Sequence, residues 1–343
     1  MFRAALLRWF AAHRRPLPWR QGLDPYRIWI SEIMLQQTRV GAVLEHYAEF
    51  LRRFPGVKTL AAARLQDVLA AWSGLGYYRR ARALHSAARI VVRHHGGNLP
   101  GNAEALHALP GIGRYTAGAI ASIAFHEPCA VVDGNVERVL RRLLGWRRQP
   151  LSRIWNAAQQ LLSPRSPGNF NQAMMELGAL VCLPVSPRCD ACPLRPQCAT
   201  RGPLQRRARP PRKTAEITYG LAARDGRVYL VRRGRRESLM PGMWELPQLS
   251  NDDGAGNGAG NGAPHLPDGA PHLPVVGRCG SSNNLLPPDF TLRHSITVTD
   301  HTVHVCRVPA AGLRGGRWFP LQDAAALPLT GLARRILRRA ALI

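Results

Sequence analysis

Four cysteines in the middle of the chain restrict its fold more than any other feature of the sequence. Cys182, Cys189, Cys192 and Cys198 follow the spacing C-x6-C-x2-C-x5-C, and the remaining three cysteines stand alone. In a reducing compartment such a dense group favours a metal site over a set of disulfide bridges. Four thiolates can hold either a structural zinc ion or a four-iron, four-sulfur cluster, and the spacing alone leaves both open.

The charge of the chain indicates a polyanionic partner. Forty-seven Lys and Arg against 21 Asp and Glu give a formal net charge of +26. Lys58 and Lys213 are the only lysines, so arginine, which binds phosphate through two-point contacts, carries almost all of this charge. A nucleic-acid backbone is the expected partner. The alternative is a solvated basic surface, or an arginine-rich composition set by codon usage.

The N-terminal segment predicts an amphipathic helix. Phe2, Leu6, Phe10 and His13 recur at helical spacing. Arg3 and Arg8 interrupt the apolar run, which excludes a signal peptide. No run approaches the ~20 apolar residues that span a bilayer. We therefore expect no membrane contact and a cytoplasmic location. A monomeric protein associated with the bacterial nucleoid is a separate expectation.

The apolar periodicity changes once along the chain. Up to about residue 198 it is helical, with turn residues at Pro100-Gly101 and Pro110-Gly111. After residue 213 it alternates as strands do, and Asp225-Gly226 between two such runs is typical of a hairpin. The predicted helical segments are 60–71, 80–95, 115–125, 136–144, 152–162 and 170–182.

The predicted fold class is multidomain. An all-α domain spans residues 1–200 and includes the cysteine loop at 182–198. A basic linker at 201–214, most simply a tether, joins it to a smaller α+β domain at 215–343. That domain contains strands at 294–308, a short basic helix at 331–342 and a Gly/Asn/Ala-rich insertion at 251–274, which favours a flexible segment without chemistry.

The sequence Leu-Pro-Gly-Ile-Gly-Arg-Tyr-Thr at 109–116 indicates a phosphate site. Gly111 and Gly113 allow close approach of the backbone, and the segment that follows begins a helix. Free amides and the dipole at a helix start attract phosphate. A tight corner between two helices is the alternative reading of such a turn.

Two carboxylates are candidates for chemistry. Asp133, in Val-Asp-Gly-Asn-Val at 132–136, precedes a predicted helix, where capping is the commoner role. Glu32 lies among large apolar residues, and burial would raise its pKa and keep it available as an acid near neutral pH. Alternatively, Glu32 faces solvent.

The order of these motifs resembles the helix–hairpin–helix DNA glycosylases of the endonuclease III superfamily, and most closely the MutY-type adenine DNA glycosylases. The resemblance covers residues 2–200. It rests further on Leu-Pro-Trp-Arg at 17–20, Ser-Glu-Ile-Met-Leu-Gln-Gln-Thr at 31–38, Gly-Leu-Gly-Tyr-Tyr at 74–78 and Phe-Asn-Gln-Ala-Met-Met-Glu-Leu-Gly at 170–178.

The resemblance implies a reaction and a cofactor. The family excises adenine mispaired with 8-oxoguanine or guanine in double-stranded DNA during base excision repair, and the cysteine loop is then expected to hold a four-iron, four-sulfur cluster. Glu32 would protonate adenine N7, and Asp133 would stabilise the oxocarbenium-like sugar, with or without a transient covalent adduct. Tyr115 and Asn135 would be hydrogen-bonding partners in the same catalytic pocket.

Further positions follow from the same resemblance. Gly111, Gly113 and Arg114 would bind the DNA backbone. Substrate-contacting positions are Trp19 and Arg20 beside the extruded adenine, Tyr77 with Gln37 as wedges in the duplex, Gln172 and Glu176.

Position 115 separates two enzymatic alternatives. Strand-cleaving relatives carry a lysine there that forms a Schiff base with the sugar, whereas this chain has Tyr115. We therefore predict a monofunctional glycosylase rather than an endonuclease III-like lyase for damaged pyrimidines. A non-catalytic DNA-binding protein with an iron–sulfur cluster is the other alternative, but binding a polyanion gains nothing from Glu32 and Asp133.

The C-terminal domain resembles the Nudix-related domain with which MutY-type proteins read 8-oxoguanine. Leu-Val-Arg-Arg at 230–233 and Met-Pro-Gly-Met-Trp-Glu-Leu-Pro at 240–247 carry this resemblance. The acidic Nudix box is absent, so too few carboxylates remain to hold Mg²⁺ for pyrophosphate hydrolysis. Thr297 is expected to supply the hydroxyl that reads the lesion, although Val298 replaces the family's histidine.

Overall fold

The computed structural model describes residues 2–203, 212–234, 236–237, 239–249, 288–296, 299–309 and 313–343. Internal contacts divide the chain into two compact units, Met1–Ala63 with Arg80–Ala208 and Arg64–Arg79 with Arg209–Ile343. No helix in the described part of the chain is long and apolar enough to cross a membrane. The predicted insertion at 251–274, Thr297 and most of the predicted linker lie outside the described residues.

The N-terminal two hundred residues form helices, as predicted. In chain order these are α1 (Phe2–His13), α2 (Pro25–Leu35), α3 (Val40–Arg53), α4 (Val57–Ala62), α5 (Leu65–Ala71), α6 (Arg79–His94), α7 (Ala103–His107), α8 (Arg114–Ala124), α9 (Gly134–Leu143), α10 (Leu151–Leu161) and α11 (Pro167–Leu180). Helix α5 belongs to the second unit and the others, apart from Arg79, to the first.

Local sequence explains how the helix that carries Glu32 begins. Asp24 caps α2 by accepting hydrogen bonds from the amides of Tyr26 and Arg27, and Pro25 occupies the first helical position, where its missing N–H costs nothing. Residues 28–34 are then buried without interruption. Helix α2 is therefore enclosed on all sides rather than amphipathic, so its single carboxylate is desolvated.

The prediction of one continuous helix at 60–71 is wrong, because the helix is interrupted at residues 63 and 64. Ala63 adopts an extended conformation and ends α4, and α5 begins at Leu65 after Arg64. The carbonyl of Ala63, released from the helical ladder, lies 3.0 Å from Nε2 of His85 on α6. Apolar residues continue on both sides of the break, so periodicity alone does not reveal it.

The second unit contains two four-stranded sheets. The strands are β1 (Lys213–Leu221), β2 (Ala223–Arg224), β3 (Arg227–Arg232), β4 (Trp244–Glu245), β5 (Gln248–Leu249), β6 (Phe290–Ile296), β7 (Thr299–Arg307) and β8 (Gly316–Pro320), followed by α12 (Leu321–Ala324) and α13 (Gly331–Arg339). One sheet has the order β5-β1-β7-β6, with β1 parallel to β7; in the other, β2, β4 and β8 all pair with β3.

The hairpin predicted at Asp225-Gly226 is present. Arg224 pairs with Arg227 across the turn, and both turn residues have positive φ, 48° and 67°. This is the conformation that a two-residue connection needs to match the twist of its strands, and an Asp-Gly pair adopts it readily. The apolar face of β3 packs under α13, where Leu230, Ile336 and Leu337 are fully buried.

Candidate active site

Glu32 is buried within the apolar body of α2. Glu32 is 6% exposed, and the neighbouring Trp29 and Ile33 are also buried. Burial, which disfavours the charged form, raises the pKa of Glu32 to about 7, and the charge of Asp133 raises it further against the opposing effects of Tyr115 and Arg20. Oε2 has no hydrogen-bond partner among the described residues. The side chain is a candidate proton donor at neutral pH.

Tyr115, on the first turn of α8, connects Glu32 with α11. Its hydroxyl donates to Sδ of Met175 at 3.0 Å, and it also lowers the pKa of the Glu32 carboxyl group. Burial raises the pKa of Tyr115 well above its ordinary value. The tyrosine is therefore a neutral partner in the pocket.

Asp133 caps α9. Oδ1 accepts the amide of Val136 at 2.7 Å, and Oδ2 accepts Nδ2 of Asn135 at 2.9 Å. The capping role considered for Asp133 is thus present, and it fixes both carboxylate oxygens. The predicted companion Asn135 is one of the two groups that hold them.

Two arginines that the sequence analysis did not single out extend this network. Nη2 of Arg138 donates to Oδ1 of Asn135 at 2.8 Å, and its Nε donates to the carbonyl of Cys182 at 2.8 Å. Arg142, one turn later, donates to the carbonyl and to Sγ of Cys182, each at 3.2 Å. A chain of hydrogen bonds therefore runs from the carboxylate of Asp133 to the cysteine loop.

Helices α9 and α11 approach closely at this network. A Cβ atom at Gly178 would come within 2.6 Å of Cβ of Asn135, so only glycine fits. The carbonyl of Gly178 also accepts Nη2 of Arg138 at 2.7 Å. Close packing against Asn135 thus explains why the 170–178 motif ends in glycine.

Glu176 is the centre of a buried ion-pair group. It is fully buried, and it accepts two side-chain hydrogen bonds from each of Arg15 and Arg20 at 2.7–3.1 Å. Burial would raise its pKa, but the hydrogen bonds from Arg15 and Arg20 outweigh burial and lower it to about 2. In this state Glu176 positions Arg20. That Glu176 and the half-buried Gln172 contact substrate stays a prediction.

The two other residues expected beside the adenine are also held in place. Trp19 is buried and packs edge-on against Tyr47 with ring centroids 5.3 Å apart. The guanidinium of Arg20 lies over the ring of Phe10 at 5.4 Å, in addition to its bonds with Glu176. Charge from Arg20 reaches Glu32, since it lowers the pKa of that carboxyl.

Gln37 lies in the turn that follows the end of α2. It is exposed and has a φ of 56°, an uncommon left-handed conformation for a residue with a side chain. Arg80 fixes both flanks: Nη1 donates to the carbonyls of Ile33, Met34 and Gln36, and Nη2 donates to Oγ1 of Thr38 at 3.0 Å. The predicted wedge residue thus has a rigid support.

The glycine turn between α7 and α8 packs closely on α6, and its role in phosphate binding stays a prediction. Gly111 has a φ of 78°, and a Cβ atom there would lie 2.6 Å from Cβ of Ala83, so the turn packs directly on α6. Gly113 begins α8 without any side chain that caps the helix. The guanidinium of Arg114 lies over the ring of Trp155 at 4.0 Å while the residue remains exposed.

The four clustered cysteines surround one pocket. Together with Arg142, Arg188 and Arg195, they line about 320 Å³ of space without protein atoms. All four are free thiols, and no group of three or more His, Cys, Asp or Glu in the described part of the chain converges on a single ion. The four thiols therefore share one cavity, and Nη1 of Arg142 donates to Sγ of Cys182 beside it.

Tyr77 belongs to the second unit, and its side chain is 52% exposed with a φ of 49°. Thr297 lies between β6 and β7 outside the described residues. The flanking strands pair in register, with Ser295 opposite Asp300, and Oγ of Ser295 donates to Oδ1 of Asp300 at 2.6 Å.

The chain is similar to known DNA repair proteins. The HhH-GPD superfamily of base excision DNA repair proteins matches residues 30–164. The adenine DNA glycosylase of Mus musculus is 48% identical over 219 residues, which are 60% of this chain and 42% of that protein. That of Arabidopsis thaliana is 37% identical over 298 residues, 72% of this chain and 47% of that protein. The chain spans less than half the length of these two relatives.

Solved structures show the same helical fold. A thermostable thymine-DNA glycosylase superimposes with a TM-score of 0.55 and 30% identity, covering 58% of this chain and 94% of that one. Endonuclease III in a non-covalent DNA complex superimposes with a TM-score of 0.51 at 23% identity, covering 58% and 93%. The chain belongs to the HhH-GPD superfamily of base excision DNA repair proteins.

Proposed function

We propose that the protein is a monofunctional adenine DNA glycosylase that removes adenine paired with 8-oxoguanine or guanine. The carrying observation is the pair of unlike carboxyl groups: Glu32 is buried with a pKa of about 7, and Asp133 is fixed by Val136 and Asn135. One group suits proton donation and the other suits stabilisation of positive charge.

The reaction follows from these two environments. Glu32 gives its proton to N7 of the extruded adenine, and the bond between C1′ and N9 breaks with its electron pair moving to the base. Asp133 faces the positive charge that develops on the sugar. Water then bonds to C1′, and its proton returns to Glu32. The products are free adenine and an abasic sugar.

The absence of a lysine at position 115 supports a monofunctional reaction. Schiff-base formation needs an amine at the sugar, whereas Tyr115 is a phenol held beside Glu32. Lys58 and Lys213, the only lysines of the chain, lie at the start of α4 and of β1. Strand cleavage is then left to alkali or to another enzyme.

An incision assay tests this proposal. Duplexes with adenine opposite 8-oxoguanine or guanine should become alkali-labile on the adenine strand. Asp133→Asn should abolish this, whereas Glu104→Gln, which removes an exposed carboxylate on α7, should not. An intact adenine strand with the wild-type protein would refute the proposal. Cleavage without alkali, trapped by borohydride, would refute the monofunctional assignment.

We propose further that Cys182, Cys189, Cys192 and Cys198 hold a four-iron, four-sulfur cluster. The cluster would close residues 182–198 into a rigid loop, and Arg142 would donate to the Cys182 sulfur. Iron and acid-labile sulfide should each be found at about four per chain. One zinc per chain without sulfide would refute the cluster and favour a structural zinc site.

We call the part of the second unit from Arg209 to Ile343 the C-terminal unit. We propose that it is the Nudix-like reader of the base opposite adenine. Support comes from the paired strands β6 and β7, between which Thr297 falls in the sequence, and from the resemblance of this part of the chain to the domain that serves this purpose in the family. Thr297→Ala should reduce the preference for 8-oxoguanine over guanine without changing the excision rate opposite guanine. An unchanged preference would refute the role of Thr297.

A further inference from the structure

The segment Arg64–Arg79 packs with the C-terminal unit although it comes from the N-terminal half of the chain. It contains α5 and the Gly-Leu-Gly-Tyr-Tyr sequence at 74–78. Its membership of this unit was not predicted, because sequence neighbours on both sides lie in the helical unit. The segment carries Tyr77, so the contacts that hold the segment also affect the position of the Tyr77 side chain.

Three hydrogen bonds fasten the segment to the C-terminal part of its unit. The hydroxyl of Tyr78 donates to the carbonyl of Leu329 at 2.8 Å, and that of Ser73 donates to the same carbonyl at 3.1 Å. Nε of Arg334, on α13, donates to Oγ of Ser73 at 2.8 Å. Tyr78, Ser73 and Leu329 are buried, so water does not replace these bonds easily. We call this group, Ser73, Tyr78, Leu329 and Arg334, the latch.

The latch rests on rigid structure in the C-terminal unit. Leu329 forms an isolated bridge with Trp244 of β4, whose amide donates to the carbonyl of Pro328 at 2.9 Å. The amide of Thr330 returns a bond to the carbonyl of Trp244 at 2.9 Å, and Oγ1 of Thr330 caps α13. The acceptor carbonyl of the latch is thus fixed to both a strand and a helix.

The loop between the latch residues is tight and conformationally demanding. Gly74, Gly76 and Tyr77 all have positive φ, 110°, 68° and 49°. Nε1 of the buried Trp72 donates to the carbonyl of Gly76 at 3.2 Å. A left-handed aromatic residue persists only where its surroundings impose that conformation. Here Ser73 and Tyr78, on either side of the loop, supply the constraint, and the Tyr77 side chain remains half exposed.

We propose that Arg334 is a positioning residue that acts through Ser73 to hold the 74–77 loop, so that the C-terminal unit sets the aromatic side chain inserted into DNA. The inference rests on the proposed function, in which Tyr77 fills the space left by the extruded adenine. Since extrusion costs a few kcal/mol of stacking and pairing, a loop that is already fixed extrudes the base more readily than one ordered during binding. The unit that reads the opposite base thereby also supports adenine extrusion.

The test is a comparison of full-length variants in two backgrounds. Arg334→Met removes the donor, and Arg338→Met removes an exposed arginine of the same helix as a matched control. Each is made in the wild-type chain and together with Tyr77→Ala. The single-turnover rate of adenine excision at saturating protein is measured, with fluorescence of 2-aminopurine at the target position as the readout of extrusion.

Arg334→Met should lower the excision rate and the extruded fraction about five- to tenfold when Tyr77 is present, because it removes the bond to Ser73 together with the bonds from Nη2 to the carbonyls of Ala325 and Leu327. In the Tyr77→Ala background it should change the rate less than about twofold. Arg334→Lys, which keeps a donor, should restore part of the rate. Arg338→Met should leave both readouts unchanged at saturating protein.

Equal losses from Arg334→Met in both backgrounds would overturn the proposal, because the effect would then not pass through Tyr77. An unchanged rate with Tyr77 present would overturn it as well. If the wild-type chain excises no adenine, the proposed function fails by itself. Hydrogen exchange of the amides at 73–77 then decides the positioning claim: faster exchange in Arg334→Met supports it, and equal exchange overturns it.

Discussion

Replacing Glu32 with glutamine should destroy catalysis and at the same time stabilise the fold, by an amount that depends on pH. The folded-state pKa of Glu32 is about 7 against an ordinary value of 4.5, because burial disfavours its charge. The folded state therefore binds a proton that the unfolded chain has already lost between these two values. Stability contributed by this group is present at low pH and is lost as pH rises through about 7.

The shift fixes the size of the effect. Relative to a neutral side chain, the raised pKa of Glu32 lowers the free energy of unfolding by about 3 kcal/mol at pH 8 but by about 1 kcal/mol at pH 5.5. Glutamine is neutral throughout and avoids the cost. Any loss of stability that the substitution causes by altered packing or hydrogen bonding is the same at both pH values and cancels in the comparison. The difference in free energy of unfolding between Glu32→Gln and wild type should therefore grow by about 2 kcal/mol from pH 5.5 to pH 8.

Urea unfolding followed by circular dichroism at the two pH values measures this difference, with Glu104→Gln as the control in which no change is expected. The excision rate of the wild type should fall about tenfold per pH unit above pH 7, because only protonated Glu32 serves as the acid. A stability difference that is the same at both pH values would show that Glu32 does not titrate in this range. The argument for its role as a proton donor would then fail.

Three further outcomes follow from the same contacts. Arg138→Met should lower the single-turnover excision rate about tenfold by releasing Asn135, with little change in DNA affinity; a large loss of affinity instead would make Arg138 a DNA contact. Glu176→Gln should lower the free energy of unfolding at pH 7 by about 3 kcal/mol, the lower end for a buried pair, since Arg20 and the partly exposed Arg15 lose the charge that balances theirs. Because the Glu176 pKa is about 2, this stabilisation is present above pH 4.5 and declines as pH falls towards 2, and a difference independent of pH down to 2 would contradict the ion pair. Affinity for duplex DNA should fall steeply with salt, with a log–log slope of about −0.9 for each phosphate neutralised, and a flat profile would contradict arginine-dominated backbone binding.

Local chemistry made part of this architecture predictable. The Asp225-Gly226 turn, the cap at Asp133 and the helix start after Gly113 each depend on a few adjacent residues, so the sequence indicates them directly. The burial of Glu32 was predictable for a related reason, since apolar residues occupy every side of α2.

Contacts between distant parts of the chain were not predictable. Arg138 lies on the strongly amphipathic helix α9, where an arginine ordinarily faces solvent, and its partner Cys182 is 44 residues away. Arg334 meets Ser73 across 261 residues for the same reason. The break at Ala63 also depends on distant structure, since the freed carbonyl faces His85. In each case the deciding partner is a backbone carbonyl or hydroxyl that leaves no pattern in the sequence.

Capping and catalysis by Asp133 are compatible, and one pair of variants separates them. Asparagine caps a helix about as well as aspartate, because its side-chain oxygen accepts the same amide. Asp133→Asn keeps this acceptor and loses only the bond from Nδ2 of Asn135, so it should lower the free energy of unfolding less than Asp133→Ala does while abolishing excision. Asp133→Ala should lose excision and also about 1 kcal/mol of stability, since the amide of Val136 then has no acceptor. If Asp133→Asn retained excision, the carboxylate would serve only as a cap. If it lost stability as Asp133→Ala does, its inactivity would reflect a displaced helix α9 rather than a missing charge.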